Sequence, residues 1–420
     1  SSKSNSFPES IFWIIILIKG TIIPRIKLYM HANDMIKEIF VFEVTRSGGN
    51  LIARLLDTHS QIGVTLDPLL PVFSNWVRDT ALQSEDDDII QQYGNGKLVP
   101  DYFFRSAGRR MRDLITEDGG STKIPGEKMA MLREALVRRT ALESVERANI
   151  LKNLSAETYE DLVTQILDIF NRFDGGKLGY VGVKECWAFE FIPLLAKLYA
   201  NSRFVILHRD PRAIVSSLLR MGEIDETQLA HSVSYVRQWR KSVVLEQEYL
   251  ASKELSNRIF SARYEQVTEN PVAFCQNVTA WLGLEFEKDM LDIFSTGWKG
   301  NSSYGELNTI TTASINRWRT ELHPDGVEMV EYMCAQEMGV LDYQLTGDGD
   351  LNEAVLRHIV WADQNSGVWR DDGGDYLAAL SWEELRQSFL RAPLNADTAQ
   401  LERLFLSDKF FASITSTSRN

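Results

Sequence analysis

One loop constrains this chain more than any other feature. The stretch VFEVTRSGGNLIARLLDTHS, residues 41–60, begins as an apolar strand and continues as an amphipathic helix, with RSGGN at residues 46–50 between them. Backbone N–H groups are exposed where a strand turns into a helix, and the helix N-terminus adds partial positive charge. Glycines let an anion approach the backbone closely, and arginine offers a forked donor that suits phosphate or sulfate. The loop predicts an anion site, although an ordinary strand–helix turn with a surface arginine fits this loop equally well.

Short apolar segments with strand character alternate with helical patterns along the chain. The helical segments include residues 155–170, with Ser155 as the cap, and residues 270–284, which begin with Asn270 and end with Gly283. This alternation predicts an α/β fold, a central parallel sheet flanked by helices. Ligands of such sheets lie at the carboxyl ends of the strands, where the RSGGN loop falls. The predicted strands are EIFVFEV (38–44), YVGV (180–183), RFVIL (203–207) and RIFSARY (258–264).

A second predicted strand end also carries basic residues. In NSRFVILHRDPRAIVSSLLR, residues 201–220, Arg209 follows the strand and Ser217 lies eight residues further on, within the next predicted helix. Alone, this segment also fits a capped helix with a surface Arg–Asp pair. Two anion sites at the strand ends of one sheet favour a ligand with two separated phosphate groups. The spacing and the lysine of an ATP-type phosphate loop are absent from the first loop, which argues against a nucleotide kinase.

Composition narrows the range of functions. The net charge of this 420-residue chain is −13, so nucleic acid is not expected as a partner. Hydrophobic residues make up 44% and charged residues 25%, which is typical of a globular protein. The three cysteines, Cys186, Cys275 and Cys334, are widely spaced. This spacing favours a reducing, cytoplasmic environment and argues against a disulfide framework or a zinc site, so no metal is expected.

The segment IFWIIILIKGTIIPRI, residues 11–26, is strongly apolar. Its uninterrupted run of eight residues is shorter than the roughly 20 that a membrane-spanning helix needs, so no transmembrane segment is expected. It also lacks the basic start and the cleavage site of a signal peptide. We interpret residues 1–35 as an apolar arm over the core, with membrane-surface association through residues 11–26 as the alternative.

Together these segments resemble the sulfotransferases that use 3′-phosphoadenosine 5′-phosphosulfate (PAPS). The RSG at residues 46–48 resembles their 5′-phosphosulfate loop, and RDPR at 209–212 with Ser217 resembles their 3′-phosphate motif. RYEQVTENPVAFCQNVTAWLGL (263–284) resembles a third recurring segment, and NSSYGELNTITTASINRWR (301–319) resembles a late loop that closes over the nucleotide. The motif spacing is closest to the tyrosylprotein-sulfotransferase branch and to bacterial-type sulfotransferases. The resemblance implies the P-loop-like sulfotransferase fold and PAPS as co-substrate.

The resemblance also implies roles for individual residues. Asp67, 21 residues beyond Arg46, matches a catalytic carboxylate that is a glutamate in that branch, and Lys184 matches a lysine that stabilises the transferring sulfuryl group. Ser302 and Arg317 match a serine and a lysine that close on the sulfonate and the phosphates. The implied catalytic residues are Arg46, Asp67, Lys184 and Ser302. The implied nucleotide-binding residues are Arg46, Ser47, Gly48, Gly49, Asn50, Arg209, Ser217, Tyr264, Ser302 and Arg317.

The chemistry of these residue types agrees with the implied roles. Sulfuryl transfer, like phosphoryl transfer, passes through a loose in-line transition state that positive donors stabilise while a base takes the acceptor's proton. Without the resemblance, Asp67 also fits a turn residue before Pro68, Lys184 fits a surface lysine, and Tyr264 fits a core residue. We therefore predict an enzyme that moves a sulfuryl group from PAPS to a hydroxyl or amine, with Asp67 as the base.

Two positions depart from the family pattern. Glu43 stands where a glycine is usual, three residues before the loop arginine, and Gly49-Asn50 replaces Thr-Thr or Thr-Ser. Gly49 still offers its N–H, and the Asn50 amide can donate a hydrogen bond. An acid near the phosphates opposes anion binding unless it faces away. A catalytically degenerate sulfotransferase-fold binding protein is therefore an alternative to an enzyme.

The acceptor is less constrained than the donor. Arg105, Arg109, Arg110 and Arg112 cluster within YFFRSAGRRMRDLI, residues 102–115. They form either a basic face for an acidic peptide or glycan, or a solvated helix face, which we favour. Cysteine usage and the lack of a clear anchor favour a cytoplasmic enzyme that acts on a small natural product. A protein-tyrosine or glycan sulfotransferase is the alternative.

The patterns divide the chain into three regions. Residues 1–35 form the apolar arm, residues 36–343 the sulfotransferase domain, and residues 344–420 a small helical C-terminal extension. We expect the extension to cover the acceptor site or to mediate contact in a homodimer. Its predicted helical faces lie at 352–361, 375–390 and 396–411.

Overall fold

Five parallel strands form the sheet against which the helices pack. Along the chain they are β1 (Lys37–Glu43), β2 (Ile62–Leu66), β3 (Tyr180–Cys186), β4 (Arg203–His208) and β5 (Ile259–Arg263). Their spatial order is β2-β3-β1-β4-β5, and every neighbouring pair is parallel. The chain leaves the central strand β1 toward β2 on one side, and it later reaches β4 on the other side. Such a reversal opens a crevice at the carboxyl ends of the strands, where ligands of open α/β sheets bind.

The computed structural model describes residues 37–95, 102–173, 179–222, 229, 231–295, 309–347, 376–392 and 397–417. Within these ranges the strands are connected and extended by α-helices. These are α1 (Gly49–Asp57), α2 (Leu70–Leu82), α3 (Asp87–Tyr93), α4 (Gly108–Asp118), α5 (Gly126–Thr140), α6 (Val145–Ile150), α7 (Tyr159–Phe173), α8 (Ile192–Leu198), α9 (Pro211–Arg220), α10 (His231–Leu250), α11 (Tyr264–Glu269), α12 (Pro271–Leu282), α13 (Trp318–Glu321), α14 (Pro324–Val340), α15 (Tyr376–Arg391), α16 (Thr398–Leu404) and α17 (Asp408–Thr417).

Helices cover both faces of the sheet. Successive side chains of a strand point to opposite faces, so alternate residues of β1 enter different cores. Phe40 and Phe42 belong to the larger core, whereas Ile39 and Val41 belong to the core beneath α1 and α12. All four side chains are fully buried. A strand that is buried on both faces has to be apolar throughout, which is why EIFVFEV could be recognised, and the predicted parallel α/β fold is confirmed.

Most predicted elements agree with the structure within a few residues. The helix at 271–282 begins and ends as predicted, because Asn270 accepts a hydrogen bond from the Ala273 N–H at 3.0 Å and Gly283 adopts a left-handed φ of 74°. The helix predicted from Ser155 starts instead at Tyr159, so the predicted cap was wrong. Strand β2, IGVTL, was not predicted, because both Gly63 and Thr65 interrupt its apolar residues.

The last described helices pack on the body of the molecule through a buried charged network. Arg240 of α10 donates to both carboxylate oxygens of Glu383 on α15, at 2.9 and 3.0 Å. Arg386 of α15 donates to Glu337 of α14. α15 corresponds to the predicted face 375–390, while α16 and α17 cover the region predicted at 396–411. The face predicted at 352–361 lies outside the described residues, and the three-region division remains a prediction.

The arginine cluster of α4 is engaged within the protein. Arg109 donates to the Phe405 carbonyl oxygen at 2.6 and 2.9 Å, and Arg112 donates to the Leu406 carbonyl oxygen at 2.6 Å. Arg110 pairs with Asp86 at 2.8 Å. The cluster therefore attaches the segment between α16 and α17 to α4, and it is neither a purely solvated face nor an open basic surface.

The apolar segment at 11–26 lies outside the described residues. In the part of the chain that the structure describes, no helix is both long and apolar enough to cross a membrane.

Candidate active site

A pocket lies where the strands of the sheet end. Its cavity volume is about 180 Å³, and it opens to solvent. Each strand brings its own residues to the pocket, directly or through the loop that follows it. The residues that line it include Glu43, Arg46, Gly48, Gly49, Asn50, Asp67, Lys184, Cys186, Arg209, Ser217, Tyr264, Ser314 and Arg317.

The RSGGN loop turns sharply between β1 and α1. Gly48 has φ of +100°, and a Cβ at this position would overlap the ring of Tyr264. Only glycine combines that conformation with such a close approach. Arg46 also lies in the left-handed region, with φ of 69°, and its Nε donates to the Ser217 hydroxyl at 3.1 Å. The Ser47 side chain is instead fully buried and does not line the pocket.

Glu43 faces into the pocket at the end of β1. Its carboxylate accepts a hydrogen bond from the Gly49 N–H, the first residue of α1. The other carboxylate oxygen lies 2.8 Å from the ammonium of Lys184. The acid that departs from the family pattern thus does not face away, and it occupies one donor of the loop, the Gly49 N–H.

Asp67 and Lys184 are brought together by the pairing of β2 with β3. Leu66, the last residue of β2, stands beside Lys184 in the register, so Asp67 follows at the strand end. The Lys184 ammonium lies 2.9 and 3.1 Å from the two Asp67 carboxylate oxygens. Asp67 has φ of 48°, and Arg139 holds its carbonyl oxygen at 2.6 Å. The chain thus fixes this carboxylate beside the lysine in a backbone conformation that non-glycine residues rarely adopt.

Lys184 is the electrostatic centre of the pocket floor. Its side chain is 3% exposed, and burial works against its charge. The carboxylates of Glu43 and Asp67 outweigh that effect and raise the pKa of Lys184 well above its ordinary value. Burial raises the pKa of the Cys186 thiol, although Lys184 counteracts it, so this thiol is protonated at neutral pH. The lysine therefore stays cationic, and the cysteine is not a nucleophile.

The second predicted anion site lies on the opposite side of the RSGGN loop. Arg209, one residue after β4, donates to the carbonyl oxygens of Arg46 at 2.9 Å and Ser314 at 3.1 Å. Its guanidinium lies 4.5 Å from the centre of the Tyr264 ring. The Tyr264 hydroxyl in turn lies 2.8 Å from the Ser314 hydroxyl. Arg209 therefore links the loop after β1 to the loop that precedes α13.

That last loop supplies residues that sequence reasoning missed. Ser314, Ile310 and Trp318 line the pocket beside the predicted Arg317. Only the resemblance over 301–319 pointed to this region, and it did not single them out, because a loop has no hydrophobic period. Ser302 lies outside the described residues.

His59 and His208 are chemically able to act as bases, but both lie away from the pocket lining. His208 is 1% exposed, and its Nε2 is hydrogen-bonded to Glu246 at 2.8 Å. His59 is buried, and its Nε2 is hydrogen-bonded to the Glu285 carbonyl at 3.0 Å. Neither imidazole lines the pocket, and among the described residues that line it the carboxylates are Glu43 and Asp67.

The fold and this pocket define an α/β protein with a charged ligand pocket at the carboxyl edge of its sheet. The model of the Sulfotransferase family matches residues 38–288, more than half of the chain, and the chain therefore belongs to the sulfotransferase family. This agrees with the family predicted from the motifs.

Curated relatives match shorter segments. Carbohydrate sulfotransferase 1 of Danio rerio is 29% identical over 96 residues, which cover 21% of this chain and 23% of that protein. A Caenorhabditis elegans protein named "Putative protein-tyrosine sulfotransferase" is 24% identical over 143 residues, which cover 32% of this chain and 54% of that protein. The matched segments thus span about a quarter of the first relative and about half of the second.

Among solved structures, the sulfotransferase domain of the Synechococcus PCC 7002 olefin synthase is similar to this chain. The TM-score is 0.42 and the identity 16%, over 74% of this chain and 95% of that domain.

Proposed function

We propose that this protein transfers a sulfuryl group from PAPS to a hydroxyl or amine of an acceptor. One observation carries the proposal: five separate segments, each at or just after a strand end, converge on one pocket. Arg46 and Gly49 follow β1, Asp67 and Lys184 lie at the ends of β2 and β3, Arg209 follows β4, and Tyr264 follows β5. The pocket thus offers positively charged side chains for a co-substrate with separated anionic groups. It also offers a carboxylate that can take the acceptor's proton.

In this proposal the two ends of the nucleotide bind to different donors. Arg209 and Ser217 hold the 3′-phosphate, because a guanidinium and a hydroxyl suit a phosphate and both line the pocket. The RSGGN loop and Arg46 hold the 5′-phosphosulfate, since N–H groups at the start of α1 attract anions. Tyr264, whose ring packs against Gly48, lies between the two groups of donors.

Lys184 and Asp67 carry out the chemistry. The acceptor's oxygen or nitrogen forms a bond to sulfur as the bond from sulfur to the leaving phosphate oxygen breaks. Lys184 and Arg46 stabilise the charge that develops on the sulfuryl and leaving oxygens. Asp67 takes the acceptor's proton, and adenosine 3′,5′-bisphosphate (PAP) leaves. The Asp67 side chain is 26% exposed and can meet an acceptor, whereas that of Glu43 is 4% exposed.

The acceptor class follows from weaker observations. We retain a small natural product as the acceptor, because the arginines of α4 that would suit an acidic peptide are engaged with Phe405, Leu406 and Asp86. A glycan or a protein tyrosine is the second candidate, favoured by the names of the two curated relatives.

The direct test is binding followed by transfer. Calorimetry should show that PAP binds and that ATP with Mg²⁺ does not. Transfer of radiolabelled sulfate from PAPS would then be screened over phenols, alcohols, amines, tyrosine peptides and glycans. If neither PAP nor PAPS binds, the proposed function is wrong. If PAP binds but no acceptor class is sulfated, a binding protein is favoured over an enzyme.

Arg209→Ala should weaken the binding of PAP by about ten- to a hundredfold, because charge-assisted hydrogen bonds to the 3′-phosphate are lost. Calorimetry on the folded variant measures the effect. Arg203→Ala is the matched control, since Arg203 lies at the opposite end of the same strand. Unchanged affinity in Arg209→Ala would remove this arginine from the nucleotide site.

Lys184→Met should lower turnover by about ten- to a hundredfold while the affinity for PAP falls much less. The lysine acts on charge that is largest in the transition state, and methionine preserves most of the buried volume. Steady-state kinetics and calorimetry on the same preparation separate the two effects. Equal losses in turnover and in affinity would identify Lys184 as a plain binding residue.

A further inference from the structure

The anion cradle at the start of α1 is filled by the protein's own carboxylate. Glu43 accepts the Gly49 N–H, which is the first N–H of the helix, and it also pairs with the Lys184 ammonium at 2.8 Å. Its side chain is 4% exposed, so this carboxylate is part of the pocket floor. A backbone N–H at a helix start and a buried ammonium are the donors that a 5′-phosphate would use.

Gly49 makes this arrangement possible. A Cβ at Gly49 would overlap the carboxyl group of Glu43, so every residue larger than glycine would push the acid out of the cradle. Gly49 has an ordinary helical conformation, which means that its backbone does not require glycine. The space occupied by Glu43 is therefore the structural reason for a glycine at this position.

Asp67 adds a second negative charge to the same lysine. Lys184 is shared between Asp67 at 2.9 Å and Glu43 at 2.8 Å, so one ammonium faces two carboxylates. An incoming phosphate would meet both like charges at short range, and it would compete with Glu43 for the Gly49 N–H as well. Like charges at this distance oppose each other strongly where water is excluded.

We infer that the Glu43 carboxylate competes with the 5′-phosphosulfate of PAPS for the Gly49 N–H and for Lys184. Glu43 and Gly49 form a matched pair, because only a glycine at position 49 leaves room for the carboxylate. This inference rests on the proposed function and deepens it. Nucleotide binds fully only after the Glu43 carboxylate leaves the Gly49 N–H. The affinity of the ligand-free protein then depends mainly on the 3′-phosphate side, where Arg209 and Tyr264 lie.

Two nucleotides allow binding at the 5′ end of the site to be measured separately from binding at the 3′ end. Adenosine 3′,5′-bisphosphate carries the 5′-phosphate, whereas adenosine 3′-monophosphate lacks it. Glu43→Gln keeps the shape of the side chain and removes its charge. We expect this variant to bind the bisphosphate roughly ten- to a hundredfold more tightly by calorimetry, with the affinity for the monophosphate nearly unchanged.

A double-mutant cycle tests the matched pair independently of nucleotide. In the parent, Gly49→Thr should lower the melting temperature by roughly 3–8 °C, because the added side chain overpacks against Glu43. In the Glu43→Gly background the same substitution should cost little, since the space is then open. The double variant should also bind the bisphosphate more tightly than the parent. A penalty for Gly49→Thr that is equal in both backgrounds would overturn the pairing.

The remaining outcomes distinguish this inference from the function on which it rests. Three results for Glu43→Gln would overturn the inference: an unchanged affinity for the bisphosphate, a weakened affinity for it, or equal changes in the affinities for both nucleotides. In each of these cases Glu43 does not compete for the 5′-site, while the proposed function stands. If neither nucleotide binds to the parent, to Glu43→Gln or to the double variant, the proposed function and this inference are both wrong.

Discussion

Asp67→Asn should lower sulfuryl transfer by about a hundredfold or more while PAP still binds with nearly the parent affinity. The substitution preserves shape and removes the group that accepts the acceptor's proton. Asp67 is suited to this role because it follows β2 directly, lies beside Lys184 and is the more exposed of the two pocket carboxylates. Initial rates with saturating PAPS, together with calorimetric titration of PAP, measure the two quantities separately.

Asp67→Glu is the matched variant for this experiment. It keeps the carboxylate and lengthens the side chain by one methylene, so part of the activity should remain. A parent-like rate in Asp67→Asn would mean that Asp67 only shapes the turn before Pro68. Among the described pocket residues, Glu43 would then be the carboxylate to test as the base, because His59 and His208 are buried away from the pocket.

Arg386→Ala should destabilise the protein by about 3–5 kcal/mol, because it leaves a buried carboxylate unpaired. Arg386 is 1% exposed and donates to Glu337, which is fully buried. Its other nitrogen lies 3.5 Å from Glu383, which also binds Arg240. Denaturant unfolding measures the loss. Glu384→Ala, at an exposed position of the same helix, is the control and should change stability by less than about 0.5 kcal/mol.

The effect of Arg386→Ala should also depend on pH. Burial alone would raise the pKa of Glu383, but Arg240 and Arg386 hold it below its ordinary value. A carboxyl group whose pKa is lowered on folding stabilises the protein above its unfolded-state pKa, about 4.3 for glutamate, and this contribution is lost as the pH falls. The stability difference between parent and variant should therefore narrow in acid. A constant difference from about pH 5 down to about pH 2 would contradict this account.

The sheet could be predicted from sequence wherever a strand is buried on both faces. EIFVFEV and RFVIL are continuous apolar runs, and they became the central strands β1 and β4. Strand β2 was missed because Gly63 and Thr65 interrupt IGVTL, so it does not read as a continuous apolar run. As a result, only family spacing pointed to Asp67, although its position follows directly from the pairing of Leu66 with Lys184.

The outcome at Glu43 could not be read from sequence. The sequence shows that an acid replaces a glycine and that a glycine replaces a threonine, but it does not show that the two positions touch. Their contact depends on the turn at residues 46–48, where Arg46 and Gly48 both have positive φ. That turn brings the start of α1 back over the end of β1. Ser314 and Trp318 were missed for a similar reason, because their contacts are made across the fold by a loop without periodicity.

Arg212 binds residues that lie on both sides of the end of the family match, and this limits where the chain can be cut or recombined. Arg212 joins Asp210 at 2.7 Å, Glu331 of α14 and the face of Trp318, whose ring centre is 4.0 Å away. The stretch that matches the family ends at residue 288, yet Trp318, Glu331 and the Ser314 carbonyl that holds Arg209 all come later. A fragment that ends at residue 288 would keep the whole sheet but would lose residues that hold Arg209 and Arg212 in place. A transplantable unit of this protein must therefore extend at least through α14.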